Sequence, residues 1–216
     1  MEQALVPTLE LGDLAECEYV LEAASEDLPV KQAILGQLEK VVGPDCLIGF
    51  ATSGLPRARI AASAQRPERC FVNHPFFPAW RALPVEVVLS GHAAYGARMM
   101  ATLKHLGKVP VDVKDSPGFV VNRVLFPMIN EAAFALQQSV AAPEAIDECM
   151  KLGCNHPLGP LALADLVGLD VVHAILDSLY REYGEPRYAP CLEITKRVET
   201  GWLGQKSGKG FYDYGR

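Results

Sequence analysis

The feature that most constrains the fold is a change of periodicity near residues 114–118. Before this point, short apolar segments alternate with segments whose apolar residues recur at helical spacing. The apolar segments are residues 19–25, 46–50, 69–73, 85–89 and 109–113. After this point only helical spacing occurs, over residues 119–138, 143–152, 161–183 and 189–200. The pattern predicts an α/β half with a mostly parallel sheet, followed by an all-helical half.

The sequence therefore predicts two domains, residues 1–115 and residues 116–216. In the first, a dinucleotide-binding sheet would open with a strand, a G-x-G-x-x-G turn and a helix, and no such turn occurs in the sequence. We therefore interpret the first domain as a truncated Rossmann-type unit. Without the opening unit, one strand edge and its adjacent faces lose their cover, so we expect exposed apolar surface unless a partner or a dimer covers it.

Composition restricts the class of partner. The net charge is −6, which argues against nucleic acid or an anionic membrane as the main partner. No apolar run reaches the roughly 18–20 residues of a membrane helix, and no basic segment followed by an apolar stretch opens the chain. The six cysteines include no C-x-x-C pair, so we expect reduced thiols in a cytoplasmic protein and no metal site.

The candidate catalytic residues are a histidine and a glutamate on neighbouring predicted strands. His74 stands at a strand end, in VNHPFFP, and strand ends line the ligand crevice of α/β sheets. Glu86 stands between valines in the next strand, PVEVV. A carboxylate beside an imidazole fixes its tautomer and raises its basicity, so such a pair can move a proton to or from a hydroxyl. The alternative is that neither residue has a chemical role.

Five other polar residues stand where a ligand could reach them, and each has a structural alternative. Ser53 follows a buried strand and could hold a polar ligand atom or cap the next helix. Asn122, on the first helix of the second half, could bond a substrate oxygen or be an ordinary exposed amide. Glu26 and Lys31 flank the start of a helix, where a favourable dipole interaction and a solvated charge are the alternatives. Lys206 lies in a glycine-rich tail that predicts a loop.

These residues stand in segments that together resemble the L-3-hydroxyacyl-CoA dehydrogenase family, which includes the lambda-crystallin and 3-hydroxybutyryl-CoA dehydrogenase branches. The segments, in order, are YVLEAASEDLPVK, ATSGLP, NHPFFP, VEVV, KDSPGFVVNRVLFPMINEA, MKLGCNHPLGPLALADLVGLD and GKGFYDY. The resemblance implies a Rossmann domain that binds NAD. It also implies a helical domain, like the C-terminal domain of 6-phosphogluconate dehydrogenase, that completes the substrate cleft and forms a homodimer.

The resemblance also implies a reaction and residue roles. The reaction is the NAD-dependent oxidation of an L-3-hydroxyacyl-CoA to the 3-ketoacyl-CoA. His74 would be the general acid/base and Glu86 its orienting partner, while Ser53 and Asn122 would contact the substrate oxygen. The implied cofactor contacts are Glu26, Lys31, Ser53 and Lys206.

Departures from the family's pattern leave two alternatives open. Besides the missing glycine turn, Phe77 and Ala51 stand where many members have asparagine, which bears on the nicotinamide and substrate contacts. One alternative is a non-catalytic remnant that acts as a dimeric binding or structural module. The other is a dehydrogenase of a small hydroxy acid, as in the lambda-crystallin branch, which Pro75 after the histidine favours.

Overall fold

The computed structural model describes residues 6–215, which fall into two compact units, residues 6–119 and residues 120–215. The first unit contains a five-stranded sheet in the order β1-β2-β3-β4-β5. The strands are β1 (Tyr19–Glu22), β2 (Leu47–Ala51), β3 (Cys70–Pro75), β4 (Pro84–Val88) and β5 (Val109–Asp112). Only β3 and β4 pair antiparallel, and the other neighbours pair parallel. The predicted mostly parallel sheet is confirmed.

The helices of the first unit follow the predicted spacing. They are α1 (Leu28–Leu38), α2 (Arg57–Ile60) and α3 (Ala93–His105), with 3-10 turns at Leu11–Leu14, Ala61–Ser63 and Pro67–Arg69. The α1 helix begins where Asp27 accepts a hydrogen bond from the Val30 N–H at 2.9 Å, and Pro29 occupies the first turn. The cap of α1 is therefore Asp27, and Glu26, which the sequence placed at this helix start, is used elsewhere.

Side chains alternate between the two faces of the sheet, as the period of two requires. One face packs against α1 and α2 and contributes Ile48, Phe50, Val72 and Val88 to a core. The other face packs against α3 and contributes Leu47, Phe71, Val85 and Val87. The central strands β2, β3 and β4 therefore bury both of their faces, which is why they appear as continuous apolar runs.

The edge strand β1 is less covered than its neighbours. The side chain of Leu21 is 45% exposed, although it is a large apolar residue on a strand. It lines a cavity of about 140 Å³ together with Tyr19, Val85, Leu103 and Leu106. Apolar surface is thus accessible beside β1, on the α3 side of the sheet.

The second unit is helical throughout its regular elements. Its helices are α4 (Val121–Gln137), α5 (Pro143–Cys154), α6 (Pro160–Val167), α7 (Leu169–Tyr183) and α8 (Leu192–Glu199). The helical segment predicted over residues 161–183 is interrupted at Gly168, which has a φ of 103° between α6 and α7. The core of the unit is formed mainly by Phe126, Ile129, Leu161, Leu169, Val172, Leu176 and Ile194. Within residues 6–215, no helix is both long and apolar enough to cross a bilayer.

Candidate active site

The antiparallel pairing of β3 and β4 brings the catalytic candidates together. The register places His74 directly opposite Glu86, although they are 12 residues apart in the chain. Nδ1 of His74 lies 2.7 Å from Oε2 of Glu86. Both side chains are buried, with 6% of His74 and 4% of Glu86 exposed. The structure therefore forms the predicted pair inside the sheet rather than at the surface.

The pairing fixes which imidazole nitrogen can act on a ligand. An ionised carboxylate only accepts hydrogen bonds, so Nδ1 of His74 carries the proton and donates it to Glu86. Nε2 then keeps its lone pair and is the atom able to accept a proton. Because Glu86 stabilises the doubly protonated ring, the pair suits a general base that becomes a general acid in the reverse direction.

Glu26 holds the loop that follows β2. Its Oε1 atom accepts hydrogen bonds from the Thr52 hydroxyl at 2.6 Å, the Ser53 N–H at 3.0 Å and the Gly54 N–H at 3.2 Å. Ser53 is exposed at the carboxyl end of β2, and this strand runs parallel to β3, which carries His74 near its own carboxyl end. Ser53 and His74 therefore lie at the same end of the sheet, where α/β folds bind their ligands.

The α2 helix, which follows this loop, is capped from elsewhere. The Asp115 carboxylate accepts hydrogen bonds from the Arg57 N–H at 2.7 Å and the Ala58 N–H at 2.8 Å. These are the first two N–H groups of α2, so the capping role considered for Ser53 is already filled by Asp115.

Lys31 is not a surface charge. It is 0% exposed, and its Nζ atom lies 2.8 Å from Oε2 of Glu22 and 2.9 Å from the carbonyl oxygen of Ala51. Its charge is therefore used inside the protein, where it links β1 to the end of β2. The alternative of a solvated lysine is therefore wrong. The two partners are needed because burying a charge without them would cost several kcal/mol.

Ala51 and Phe77, the two residues that depart from the family pattern, have different surroundings. The carbonyl of Ala51 is bound by Lys31, so the backbone at the end of β2 is fixed. Phe77 is 91% exposed after β3, and its ring centroid lies 6.0 Å from that of Trp80.

In the helical unit, Asn122 and Lys206 lie on separate elements. Asn122 is in the first turn of α4 and is 6% exposed, so it is not an ordinary surface amide. Lys206 lies in a 3-10 turn, Gln205–Ser207, within the tail for which the sequence predicted a loop. Its Nζ atom is 2.5 Å from Oδ1 of Asp170. Burial alone would raise the pKa of Asp170, but the hydrogen bond from Lys206 and a backbone N–H bring it below its ordinary value.

The glycine-rich tail that carries Lys206, residues 204–214, is hydrogen-bonded to a buried carboxylate. Asp165 is 0% exposed and accepts hydrogen bonds from the Phe211 N–H at 2.9 Å, the Tyr212 N–H at 2.9 Å and the Tyr214 hydroxyl at 3.0 Å. Burial raises the pKa of Asp165 above its ordinary value, despite these hydrogen bonds. A Cβ atom at Gly210 would lie 2.1 Å from Oδ1 of Asp165, so only glycine fits there.

Glu22, Asp115 and Asp165 were not among the residues predicted from the sequence. The sequence does contain a signal for the role of Glu22. This acidic residue stands in an apolar strand, nine positions before a lysine on a buried helix face, and that pattern predicts an internal ion pair. Asp115 and Asp165 carried none, because their partners are backbone N–H groups 57 or 58 and 46 or 47 positions away.

The described residues fit the nicotinamide end of NAD. Polar groups gather at the carboxyl ends of the parallel strands, where Glu26 orients the loop N–H groups and Ser53 is exposed. An imidazole Nε2 with a free lone pair at the same end suits proton transfer beside a redox cofactor. The glycine turn that holds a pyrophosphate in such folds does not occur in the sequence, so the fit concerns the nicotinamide end alone.

Comparison with known proteins first gives the class. A model of the 3-hydroxyacyl-CoA dehydrogenase NAD binding domain matches residues 2–116, and a model of the 3-hydroxyacyl-CoA dehydrogenase C-terminal domain matches residues 118–214. Together with the mostly parallel sheet and its His–Glu pair, these matches define a nicotinamide-dependent oxidoreductase.

Individual relatives narrow the class to a family. A probable 3-hydroxybutyryl-CoA dehydrogenase of Bacillus subtilis is 44% identical over 94% of this chain and 72% of its own length. The 3-hydroxybutyryl-CoA dehydrogenase of Clostridioides difficile is 42% identical over 97% of this chain and 75% of its own. The crystal structure of (S)-3-hydroxybutyryl-CoA dehydrogenase from Ralstonia eutropha superposes with a TM-score of 0.93 at 43% identity, covering 97% of this chain and 75% of that one. The chain belongs to the 3-hydroxyacyl-CoA dehydrogenase family.

Proposed function

We propose that this protein catalyses the NAD-dependent oxidation of an L-3-hydroxyacyl-CoA to the 3-ketoacyl-CoA, with His74 as the general acid/base. The observation that carries the proposal is the buried His74–Glu86 pair, whose 2.7 Å contact leaves Nε2 as the proton acceptor. The pair lies at the end of the sheet where such folds bind ligands. Family membership supports the same reaction.

The chain's own contribution to the reaction is proton transfer and orientation. When NAD is bound, it supplies the acceptor for the hydride that leaves C3 of the substrate. Nε2 of His74 takes the proton of the 3-hydroxyl in the same step. Glu86 stabilises the imidazolium that results through its hydrogen bond to Nδ1. In the reverse direction the imidazolium returns this proton to the ketone oxygen.

We propose that some of the remaining site residues contact a ligand directly and that others hold neighbouring groups in place. Ser53 and Asn122 hydrogen-bond the substrate oxygen, and Ser53 also contacts the cofactor. Glu26 acts on the cofactor side by fixing the loop N–H groups that it binds. Lys31 acts through the Ala51 carbonyl and Glu22 as a positioning residue, because its buried Nζ is occupied. Lys206 contacts the cofactor with its half-exposed side chain, which is also paired with Asp170.

We also propose how the units divide the work. Residues 1–115 hold NAD and the catalytic pair, and residues 116–216 bind substrate and form a homodimer. Exposed apolar side chains on the helical unit, among them Val124 at 67% and Leu166 at 56%, offer surface for such a contact. The six cysteines are all unpaired, which suits the reducing cytoplasm.

A short acyl-CoA is the proposed substrate. The relatives named above are 3-hydroxybutyryl-CoA dehydrogenases, and this supports a four-carbon acyl group. Pro75 keeps a small free hydroxy acid as the second candidate, since the lambda-crystallin branch shares it. Family models that match both halves argue against a non-catalytic remnant.

The deciding experiment follows NADH oxidation with acetoacetyl-CoA. The wild type is compared with His74→Ala and with His105→Ala, a control histidine that is exposed in the last turn of α3. We expect His74→Ala to lower kcat by about 10²–10⁴-fold, the usual contribution of a general acid/base, and His105→Ala to leave kcat unchanged. A folded wild type that oxidises no NADH, or full activity in His74→Ala, would contradict the proposal. Turnover of a free 3-hydroxy acid alone would favour the second candidate.

A further inference from the structure

Phe119 has an unusual backbone conformation for a bulky residue. Its φ is 46°, directly after Gly118 with a φ of 75°. Non-glycine residues with large side chains seldom adopt positive φ, and the strain costs about 1–3 kcal/mol. Phe119 is nevertheless only 4% exposed and packs in the same core cluster as Val72 and Val88. The strained backbone therefore directs the ring into the core of the first unit.

The segment 115–119 is fixed at several points. The Asp115 carboxylate accepts two hydrogen bonds from the first N–H groups of α2, at 2.7 Å and 2.8 Å. The Phe119 N–H donates to the carbonyl of Ser116 at 2.9 Å, which closes a turn. Anchoring at both ends accounts for a conformation that an isolated segment would avoid.

The buried ring of Phe119 meets the imidazole of His74. Their centroids are 5.6 Å apart at an interplanar angle of 44°. Phe76 approaches the same imidazole with a centroid distance of 5.0 Å and an angle of 58°. Glu86 holds Nδ1 at the ring edge. A hydrogen bond to one nitrogen still permits the ring to tilt, and two flanking aromatic rings restrict that tilt.

We propose that Phe119 is a positioning residue for His74, whose strained and anchored backbone holds its ring against the imidazole and thereby sets the direction of Nε2. This inference rests on the proposed function, because it assigns Nε2 the proton transfer. The alternative is that Phe119 only fills the core. The two differ in outcome, since a core filler affects stability and a positioning residue affects the chemical step.

The test compares two buried phenylalanines. Phe119→Leu removes the ring beside His74, and Phe71→Leu removes an equally buried ring on the opposite face of β3. Phe119→Tyr keeps the ring. Each protein is assayed for acetoacetyl-CoA reduction, and the five histidines are observed by ¹H–¹³C NMR after ¹³C-histidine labelling. The His74→Ala variant assigns the resonance of His74.

We expect Phe119→Leu to lower kcat by about 10-fold, because an aromatic contact is worth up to about 1.5 kcal/mol, which corresponds to roughly tenfold in rate. We expect KM to stay within about twofold, because the Phe119 ring is placed against His74 and not against the substrate. The His74 ring protons should shift, since they lose the ring current of Phe119. Phe71→Leu and Phe119→Tyr should keep both kcat and the His74 resonance close to wild type.

Two results would overturn the inference: an unmoved His74 resonance in Phe119→Leu, or a kcat equal to that of Phe71→Leu. If the wild type reduced no acetoacetyl-CoA, the proposed function would fail, and the NMR comparison would still decide whether the Phe119 ring lies against the imidazole. Should Phe119→Leu not fold, Phe119→Met serves the same purpose, because its flexible chain fills irregular core space.

Discussion

His74 and Glu86 face each other across the only antiparallel strand pair of the sheet, with 2.7 Å between Nδ1 and Oε2. In a parallel pair these residues, 12 positions apart, could not be opposite each other without a crossover connection. The change of strand direction between β3 and β4 is therefore what makes the pair possible. It also predicts that the carboxylate and the imidazole work as one unit.

Glu86→Gln should lower kcat nearly as much as His74→Ala does. The glutamine amide can donate to Nδ1, which would move the proton to Nε2 and remove the proton acceptor. We expect kcat for acetoacetyl-CoA reduction to fall by on the order of 10²–10⁴-fold. Glu148→Gln, in an exposed pair with Lys151, is the matched control and should be silent. Wild-type kcat in Glu86→Gln would show that the carboxylate does not set the tautomer.

Much of this architecture could be predicted from the sequence, because it depends on local spacing. The five apolar segments became strands with ends displaced by at most three residues, and the helical runs of the second half became α4 to α8. His74 and Glu86 were recognisable because each stands at a defined place on a strand.

What could not be predicted depends on contacts between distant segments. The burial of Lys31 on α1 depends on the Ala51 carbonyl as well as on Glu22 of β1, and periodicity says nothing about a carbonyl at the end of β2. The positive φ of Phe119 depends on the anchor that Asp115 makes 57 and 58 residues away. No spacing rule links such positions.

Removing one partner of the Glu22–Lys31 pair should destabilise the protein strongly. Both side chains are buried, and an unpaired buried charge costs about 3–5 kcal/mol. We expect the free energy of unfolding, measured with urea, to fall by about that amount in Lys31→Met. The double variant Glu22→Gln/Lys31→Met should recover a large part of the loss. A double variant no more stable than Lys31→Met would contradict this reading of the pair.

The pH dependence of stability should include a contribution from Asp165 with a sign opposite to that of most carboxylates. Because burial raises its pKa in the folded state, the folded protein binds the proton more tightly than the unfolded chain. The stabilising contribution is therefore full below the unfolded pKa of about 3.9 and is lost as pH rises through the raised folded pKa.

Asp165→Asn removes this titration and isolates it. We expect the stability of the wild type relative to Asp165→Asn to fall as pH rises from about 4, and then to level off. Urea unfolding at a series of pH values measures this difference, and Asp112→Asn, at an exposed position on β5, is the control. A relative stability that rises over the same range would show that the hydrogen bonds to Asp165 outweigh its burial.

The cysteines should separate into classes by reactivity with a disulfide reagent such as dithionitrobenzoate. Cys149 and Cys154 are exposed on α5 and should react first. Burial raises the pKa of the Cys70 thiol to about 12, so it should react only after unfolding. Replacing Cys149 and Cys154 with serine should remove the fast phase, and replacing Cys70 should leave it intact. A fast phase that survives loss of Cys149 and Cys154 would be the contrary result.

The attachment of the tail to Asp165 has a consequence for synthesis. Phe211 comes 46 residues after Asp165, and its N–H is one of the groups that this buried carboxylate binds. The helical unit cannot give Asp165 its partners until residues 211–214 have left the ribosome. The α/β unit, whose internal contacts end at Phe119, carries no such delay. The two units should therefore fold in order during translation, the α/β unit first.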